Sequence, residues 1–370
     1  MNDLISKRLK YARERAGMTQ EQTAKLFGFK DRQTLAAIEA GQRKLTAEEL
    51  VRAVDIFQLD LDYFTDPLRL VGEGSFNWRA STGMTAASLD SLEQRAGRWV
   101  AVYRRLRNLG SKQTLLNKTL SLNVRNSFEE AMDAAESLGI EWQLGECPAQ
   151  ELEAALRREL DALILYVQWP KGVSGAACQL PGLNAILINR SEPEGRRHYD
   201  LAHECFHLLT WEQMPPEHAE LIETVHRGKG TRKRIELLAD NFAAALLMPT
   251  RALRPLWAAH HNRDINQWLN ETASAFRVTA QALRWRLINL GWLSKKDQLQ
   301  IQDAKLTANG RPHAQQPTPR PFNEEFVKLL RSAIERGDLS VRRVAALLEV
   351  TIEDLADLFR QYDLAVPFDL

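Results

Sequence analysis

Hydrophobic positions in the first 66 residues recur at helical spacing in short stretches, broken by Gly17, Gly28 and Gly41. Leu4, Leu9 and Ala12 open a first amphipathic helix. Thr19 and Gln22 have capping-box spacing and open a second, which stops near Gly28. Asp31 caps a third helix, which carries Leu35 and Ile38 inward and ends at Gly41, and Thr46 caps a fourth. The run closes at Asp66-Pro67, because a proline pushes the residue before it out of the helical region. Residues 68–85, holding Gly72, Gly74, Ser75, Ser81 and Gly83, read as a linker. A helical period returns from Ala86 to about Leu109, with Leu89, Leu92, Ala96, Trp99, Val100 and Tyr103 on one side. Further helices are expected from Phe128 to Leu138 and from Ala149 to Leu160.

The period then changes. Ala162–Val167 and Ala185–Asn189 are compact apolar runs bounded by Pro and Gly, with Gly175–Cys178 between them, and they predict a small sheet of about three strands. From Asn189 to about Trp292 everything reads as helix. Residues 307–321 hold Pro312, Pro317, Pro319 and Pro321 in polar fill, a linker composition. The tail from Phe322 to Leu370 (Leu329, Leu330, Ile334, Val341, Val344, Ala345, Leu347, Leu348, Leu355, Leu358) reads as a small helical bundle. The fold expected is mainly α with one small β-sheet, an α+β chain.

Composition narrows this picture. With 370 residues, 44 % apolar and 26 % charged, the chain is an ordinary globular one of two or three domains. No run approaches the roughly 18 apolar residues of a membrane span, so no membrane partner is expected. The first turn, Met1–Arg8, mixes in charge and lacks an apolar core, which argues against a signal peptide. Cys147, Cys178 and Cys205 are too few and scattered for a disulfide framework, which points to a reducing cytoplasm. The net charge is only +1, yet residues 1–44 hold ten Lys/Arg against five Asp/Glu, a local +5.

That basic excess suits phosphate contacts. Short helices with a tight turn between the second and third are the helix-turn-helix plan, whose third helix offers its N-terminal residues to base edges. Arg32 and Gln33 suit guanine and adenine edges, and Gln20 and Thr34 complete the candidate DNA-contacting set. The plain alternative is a small helical bundle used for dimerisation or protein contact. Met18–Gln22 and Asp31–Gly41, with Ile38-Glu39-x-Gly41 closing the third helix, resemble the XRE (phage-repressor-like) DNA-binding domain over about 60 residues. The resemblance implies operator DNA as a partner.

His203-Glu204-Cys205-Phe206-His207 is the most informative stretch. Residues four apart stack on one helix face, so both imidazoles can reach one ion with Glu204 beside them. Glu236, 29 residues after His207, lies on a second helix with Leu237, Ala244, Leu247 and Met248. Two imidazoles and a carboxylate leave a fourth tetrahedral position open, as catalytic zinc requires. Asp240, four residues from Glu236, could hold the free ring nitrogen of a ligand histidine. The alternatives are two histidines satisfied by ordinary hydrogen bonds, a surface carboxylate at Glu236, and an Asp240 paired with Arg234 or Arg232.

Ala185–Asn189, then Arg196–Glu204, then Glu236-x-x-Ala239-x-x-Phe242-Ala243-x-x-Leu246-Leu247-Met248-Pro249 look like the ImmA/IrrE family of zinc metallopeptidases over roughly residues 125–250. The resemblance implies a zincin-like core, zinc (Zn2+) on His203, His207 and Glu236, and Glu204 as catalytic carboxylate. Cys205-Phe206 departs from the family, which commonly has a small residue beside the second histidine; Phe206 would narrow the site. His198, Tyr199 and His226 lie near enough in sequence to be candidate oxyanion donors, with packing or surface roles as the alternative. Cys205, about 200° round the helix from His203, should face the core. A thiolate at Cys178 could fill the open zinc position, unless that residue is simply a buried structural cysteine.

The spans that follow are a DNA-binding domain at 1–66, a linker and helical connector at 67–124 and a peptidase domain at 125–252. A helical extension at 253–306, a Pro-rich linker at 307–321 and a C-terminal bundle at 322–370 complete the chain. In the extension, residues 264–293 repeat a helix-turn-helix cadence. The resemblance implies that this piece packs behind the peptidase, its Trp and Arg residues forming core and solvated face. Relatives by resemblance cleave helix-turn-helix repressors. The expected function is therefore a DNA-binding zinc endopeptidase that cuts such a repressor, or its own chain after Pro67. The other class is a transcriptional regulator or antitoxin-like repressor whose metal domain senses a ligand or partner without cutting. A homodimer is compatible with either.

Overall fold

The computed structural model describes residues 2–72, 74–81, 83–108, 118–215, 219–221, 231–260, 263–306 and 318–369. The chain divides into two compact units, one of Met1–Gly74, Asp90–Lys112 and Ala346–Glu349, the other of Ser75–Leu89, Gln113–Ala345 and Val350–Leu370. Among the described residues no helix is long and apolar enough to cross a membrane.

The first unit opens with α1 (Asn2–Arg15), α2 (Gln20–Phe27), α3 (Arg32–Glu39), α4 (Ala47–Phe57) and α5 (Leu61–Thr65). The caps are those the sequence announces. Thr19 and Gln22 satisfy each other's backbone N–H groups at the start of α2, and Thr46 and Glu49 do so for α4. Asp31 accepts the Thr34 N–H at 2.9 Å. Gly28 ends α2 at φ 73°, a left-handed conformation that glycine reaches without strain. Leu9, Phe27, Leu35, Ile38 and Phe64 form a fully buried core. Two buried arginines brace it: Arg8 donates to the carbonyls of Tyr63, Asp66 and Arg69, and Arg13 grips Glu39 with two bonds of 2.6 and 3.0 Å.

The chain continues as β1 (Ser75–Ala80), α6 (Ala86–Asn108), α7 (Phe128–Glu141), α8 (Pro148–Leu160), β2 (Leu163–Val167), β3 (Val173–Leu180), β4 (Leu183–Asn189) and α9 (Glu194–Thr210). Then come β5 (Ala219–Leu221), α10 (Thr231–Leu247), α11 (Thr250–Ala258), α12 (Ile265–Phe276), α13 (Ala280–Asn289) and α14 (Lys295–Gln300). The last helices are α15 (Glu324–Glu335), α16 (Val341–Leu348) and α17 (Ile352–Gln361). Of the Pro-rich linker, residues 307–317 lie outside the described residues.

Among the described residues the sheet has five strands in the order β2-β4-β3-β1-β5, against about three expected. β3 and β4 form an antiparallel hairpin turning at Gly182 (φ 85°), β2 runs parallel to β4, and β1 is antiparallel to β3 and parallel to β5. The expected linker at 68–85 thus contains a buried strand. Phe76, Trp78 and Ala80 alternate with Asn77 and Arg79, a period of two that flanking Gly and Ser residues obscure. β5 is three residues long, too short for any period to register.

Alternation assigns the two faces. Ile164, Ala177, Ile186 and Ile188 join one core with Leu201, Cys205, Phe206, Phe242 and Leu246 of α9 and α10. Trp78 is on the opposite face, its ring 5.1 Å from that of Trp169. The C-terminal bundle is stitched to β2 by a two-way backbone bridge between Tyr166 and Phe322 and by Asn323 Nδ2 donating to the Ile164 carbonyl at 2.6 Å. In α12 and α13 the core residues Trp268, Phe276, Leu283 and Leu287 pack on the α10 side. Two residues there invert the expectation that Trp forms core and Arg the solvated face. Trp285 is 52 % exposed, while Arg286 is buried and bonds Glu136 at 2.7 Å and the Met248 carbonyl at 3.2 Å.

Removing the Glu39 carboxylate should leave Arg13 only Glu14, at 3.3 Å, and the Met18 carbonyl, at 3.1 Å. Glu39→Ala is expected to destabilise the helix-turn-helix unit by about 1–3 kcal/mol, seen as faster hydrogen exchange of α1 and α3 amides in the full chain, with α9 and α10 amides unchanged.

Candidate metal centre

The site is built on two antagonistic requirements, a tight helix pair and a set of polar groups inside it. α9 is seated by Gly195, where a Cβ would come within 2.5 Å of the Val278 backbone. One turn of α9 then separates His203 from His207, both fully buried. Their Nε2 atoms lie 3.1 Å apart. From α10, Glu236 Oε2 comes within 3.2 Å of His203 Nε2 and 3.4 Å of His207 Nε2. Bonds of about 2.0–2.1 Å to a tetrahedral ion require donors roughly 3.3 Å apart, so this triangle has the size of one face of such a polyhedron. Among the described residues, His203, His207 and Glu236 form a donor group that could hold a metal ion.

Electrostatics agree with the geometry. Burial alone would raise the Glu236 carboxyl, but the two imidazoles hold it well below the usual carboxylate range. Burial would lower His207, and the Glu236 charge overrides it and raises the imidazole. Asp240 Oδ1 lies 3.0 Å from His203 Nδ1; a proton on Nδ1 aims the Nε2 lone pair into the triangle. Against its burial, the His203 hydrogen bond and the Arg79 charge hold Asp240 down to about 2. Glu236, only 12 % exposed, is not the surface carboxylate of the plain alternative, and Asp240 pairs with Arg79 at 3.4 Å. Arg234 turns instead to the carbonyls of Val124 and Asn126. Glu204 is fully buried and faces β3: a Cβ on Gly175 would meet its Oε1 at 3.8 Å.

Several sequence candidates fall elsewhere. Tyr199 donates its hydroxyl to the Asp240 carbonyl at 2.9 Å, and burial, with Asp240 nearby, raises its pKa well above that of a free tyrosine. His198 Nδ1 pairs with the Arg277 carbonyl at 2.8 Å. Both are thus committed to the scaffold rather than turned to an oxyanion, and His226 lies outside the described residues. Cys205 faces the core, where burial pushes its thiol up. Phe206 packs on Phe242 with ring centroids 5.4 Å apart and meets His207 edge-on. Cys178 is overturned as a metal blocker: Gly175 and Ala177 take the α9 face of β3, so Cys178 points through the other face. Arg79 and Asp200, which the sequence reading passed over, adjoin the centre. Arg79 Nη2 is 3.4 Å from Asp240 Oδ1 and its Nε 3.5 Å from Asp200 Oδ1. An arginine at an inward position of an alternating run was the available signal.

In the N-terminal unit, Arg32 and Gln33 are exposed on the first turn of α3. Thr34 spends its hydroxyl on Asp31 at 3.2 Å, and Gln20 gives its amide to Glu39 at 2.9 Å. Arg32 and Gln33 are therefore the two of the four with unrestrained side chains at the helix start.

Two family models match the chain: Helix-turn-helix over residues 9–64 and IrrE N-terminal-like domain over residues 158–287. No curated protein matches it. The two matched segments are those of a fusion between an XRE-type helix-turn-helix domain and an IrrE/ImmA-like domain. The second match ends at residue 287, within α13, and so takes in α11 and α12 behind α10.

Tyr199→Phe should cost about 1 kcal/mol of stability for the lost hydrogen bond and leave metal content unchanged. Loss of metal without loss of stability would instead mean that the hydroxyl serves the centre.

Proposed function

We propose that this chain is a regulatory zinc endopeptidase, carried to DNA by its own helix-turn-helix domain and cutting a protein that represses transcription. The observation that carries the reading is the triangle of His203, His207 and Glu236 donors, 3.1–3.4 Å on a side, with Glu204 on the same helix. Zinc bound there would supply a Lewis acid for a peptide carbonyl and for an attacking water. The remaining work is proton transfer. Glu204 takes a proton from the water and delivers it to the departing amine. Asp240 keeps His203 in one tautomer throughout.

The substrate we favour is a helix-turn-helix repressor, with the chain's own segment after Pro67 as the intramolecular version. Binding at or near an operator raises the local concentration of a DNA-bound substrate without any added contact. Arg32, Gln33, Gln20 and Thr34 form the proposed base-reading edge, in which Arg32 and Gln33 make the direct contacts.

The test begins with elemental analysis of the purified chain. About one zinc per chain is expected, and none in His203→Ala/His207→Ala. Glu204→Gln should retain the metal while its cleavage of candidate repressors falls by about 10²–10⁴-fold. Full zinc occupancy and tight operator binding with no cleavage of any candidate would replace the peptidase by a metal-dependent sensor.

A further inference from the structure

We infer that Arg79 is a positioning residue of the metal centre, a single guanidinium bridging the two helices that carry the metal donors. This rests on the zinc-centre reading above. Arg79 belongs to β1, which ends 78 residues before the IrrE-like match begins at residue 158. Pairing opposite Gly175 brings it under α9, beside the one β3 position that has no side chain to exclude it. Its side chain is only 6 % exposed. From there it reaches Asp200, one turn before His203 on α9, and Asp240, one turn after Glu236 on α10, at 3.5 and 3.4 Å. Asp240 Oδ1 is the same atom that lies 3.0 Å from His203 Nδ1. The second Asp200 oxygen is held by Arg196 Nε at 3.2 Å.

One guanidinium thus hydrogen-bonds Asp240 next to a ligand on α10 and faces Asp200 next to a ligand on α9 by charge at 3.5 Å. Sliding α9 against α10 would lengthen one arm as it distorted the donor triangle. The bridge also keeps Asp240 from rotating away from His203. A lysine cannot reproduce it, because a point charge on a flexible stem lacks the planar fork that reaches two carboxylates at once.

The experiment measures zinc affinity by competition with a chelator in the full chain. The wild type is read first: a chain that takes up no zinc overturns the metal-centre reading itself, before any variant is considered. Arg79→Met is expected to weaken zinc binding about 10–100-fold, and Arg79→Lys by at least about tenfold. Trp78→Phe perturbs the opposite face of the same strand and should keep wild-type affinity. In an Asp240→Asn background Arg79→Met should add little, because the two act through one contact. Zinc held as tightly by Arg79→Lys as by the wild type overturns the inference. Equal losses in Trp78→Phe and Arg79→Lys also overturn it, reducing β1 to packing. Should Arg79→Met fail to fold, Arg79→Lys and Trp78→Phe decide on the same criteria.

Discussion

Three donors drawn from two helices can share one ion only if the helices keep their separation to a few tenths of an ångström. That constraint on α9 and α10 explains most of what surrounds them. Leu201, Cys205, Phe206 and Leu209 on one helix interlock with Leu238, Phe242, Ala245 and Leu246 on the other, all but fully buried. Close-packed side chains of this kind resist small displacements, because each forfeits many contacts at once. Gly195 lets the start of α9 touch the turn before α13, and Tyr199 ties α9 to the α10 backbone. Packing fixes the distance, and the polar groups then fix the angle of each imidazole.

The arrangement also accounts for its own electrostatic cost. Two buried imidazoles, three buried or nearly buried carboxylates (Glu204, Asp200 and Glu236) and Asp240 share a small volume. Isolated charges in such surroundings would be strongly unfavourable. Arg79 and Arg196 offset part of the negative charge on the Asp200 side. A divalent cation is the natural partner for the Glu236 side, where two ring nitrogens otherwise face each other at 3.1 Å.

How much of this the sequence discloses depends on the length over which a signal repeats. The helices of the N-terminal unit announce themselves through caps: Thr19/Gln22, Asp31 and Thr46/Glu49 occupy the positions their spacing implies. Strands β2 and β4 are legible as the compact apolar runs Ala162–Val167 and Ala185–Asn189, with β3 around Gly175–Cys178 between them. The donors His203, His207 and Glu236 could be gathered because helical spacing and one carboxylate on a second helix restrict the choices. β1 and Arg79 were not gathered. Six residues amid Gly and Ser carry too little periodicity to outweigh their surroundings, and the partners of β1 lie about 100 residues along the chain in β3 and about 140 in β5. The Trp285/Arg286 inversion has a similar cause. Which of two adjacent residues turns inward depends on Glu136 of α7, remote in sequence.

Family boundaries and physical boundaries therefore differ in this protein. Residues 158–287 contain every proposed donor, yet two supports of the centre lie before residue 158. One is β1 with Arg79. The other is α7, whose Ala131, Ala135 and Leu138 are fully buried in the core that α10 shares. A segment cut at the limits of the family match would strip α7 from α10, where a Cβ at Gly139 would meet Leu246 Cδ1 at 3.7 Å, and would leave Asp200 and Asp240 without Arg79. The strand that supplies Arg79 begins only nine residues after Asp66, the last residue expected in the DNA-binding domain. So the connector between the two matched modules is not a passive tether. It contributes the buried cation on which, in our account, the alignment of the donors depends.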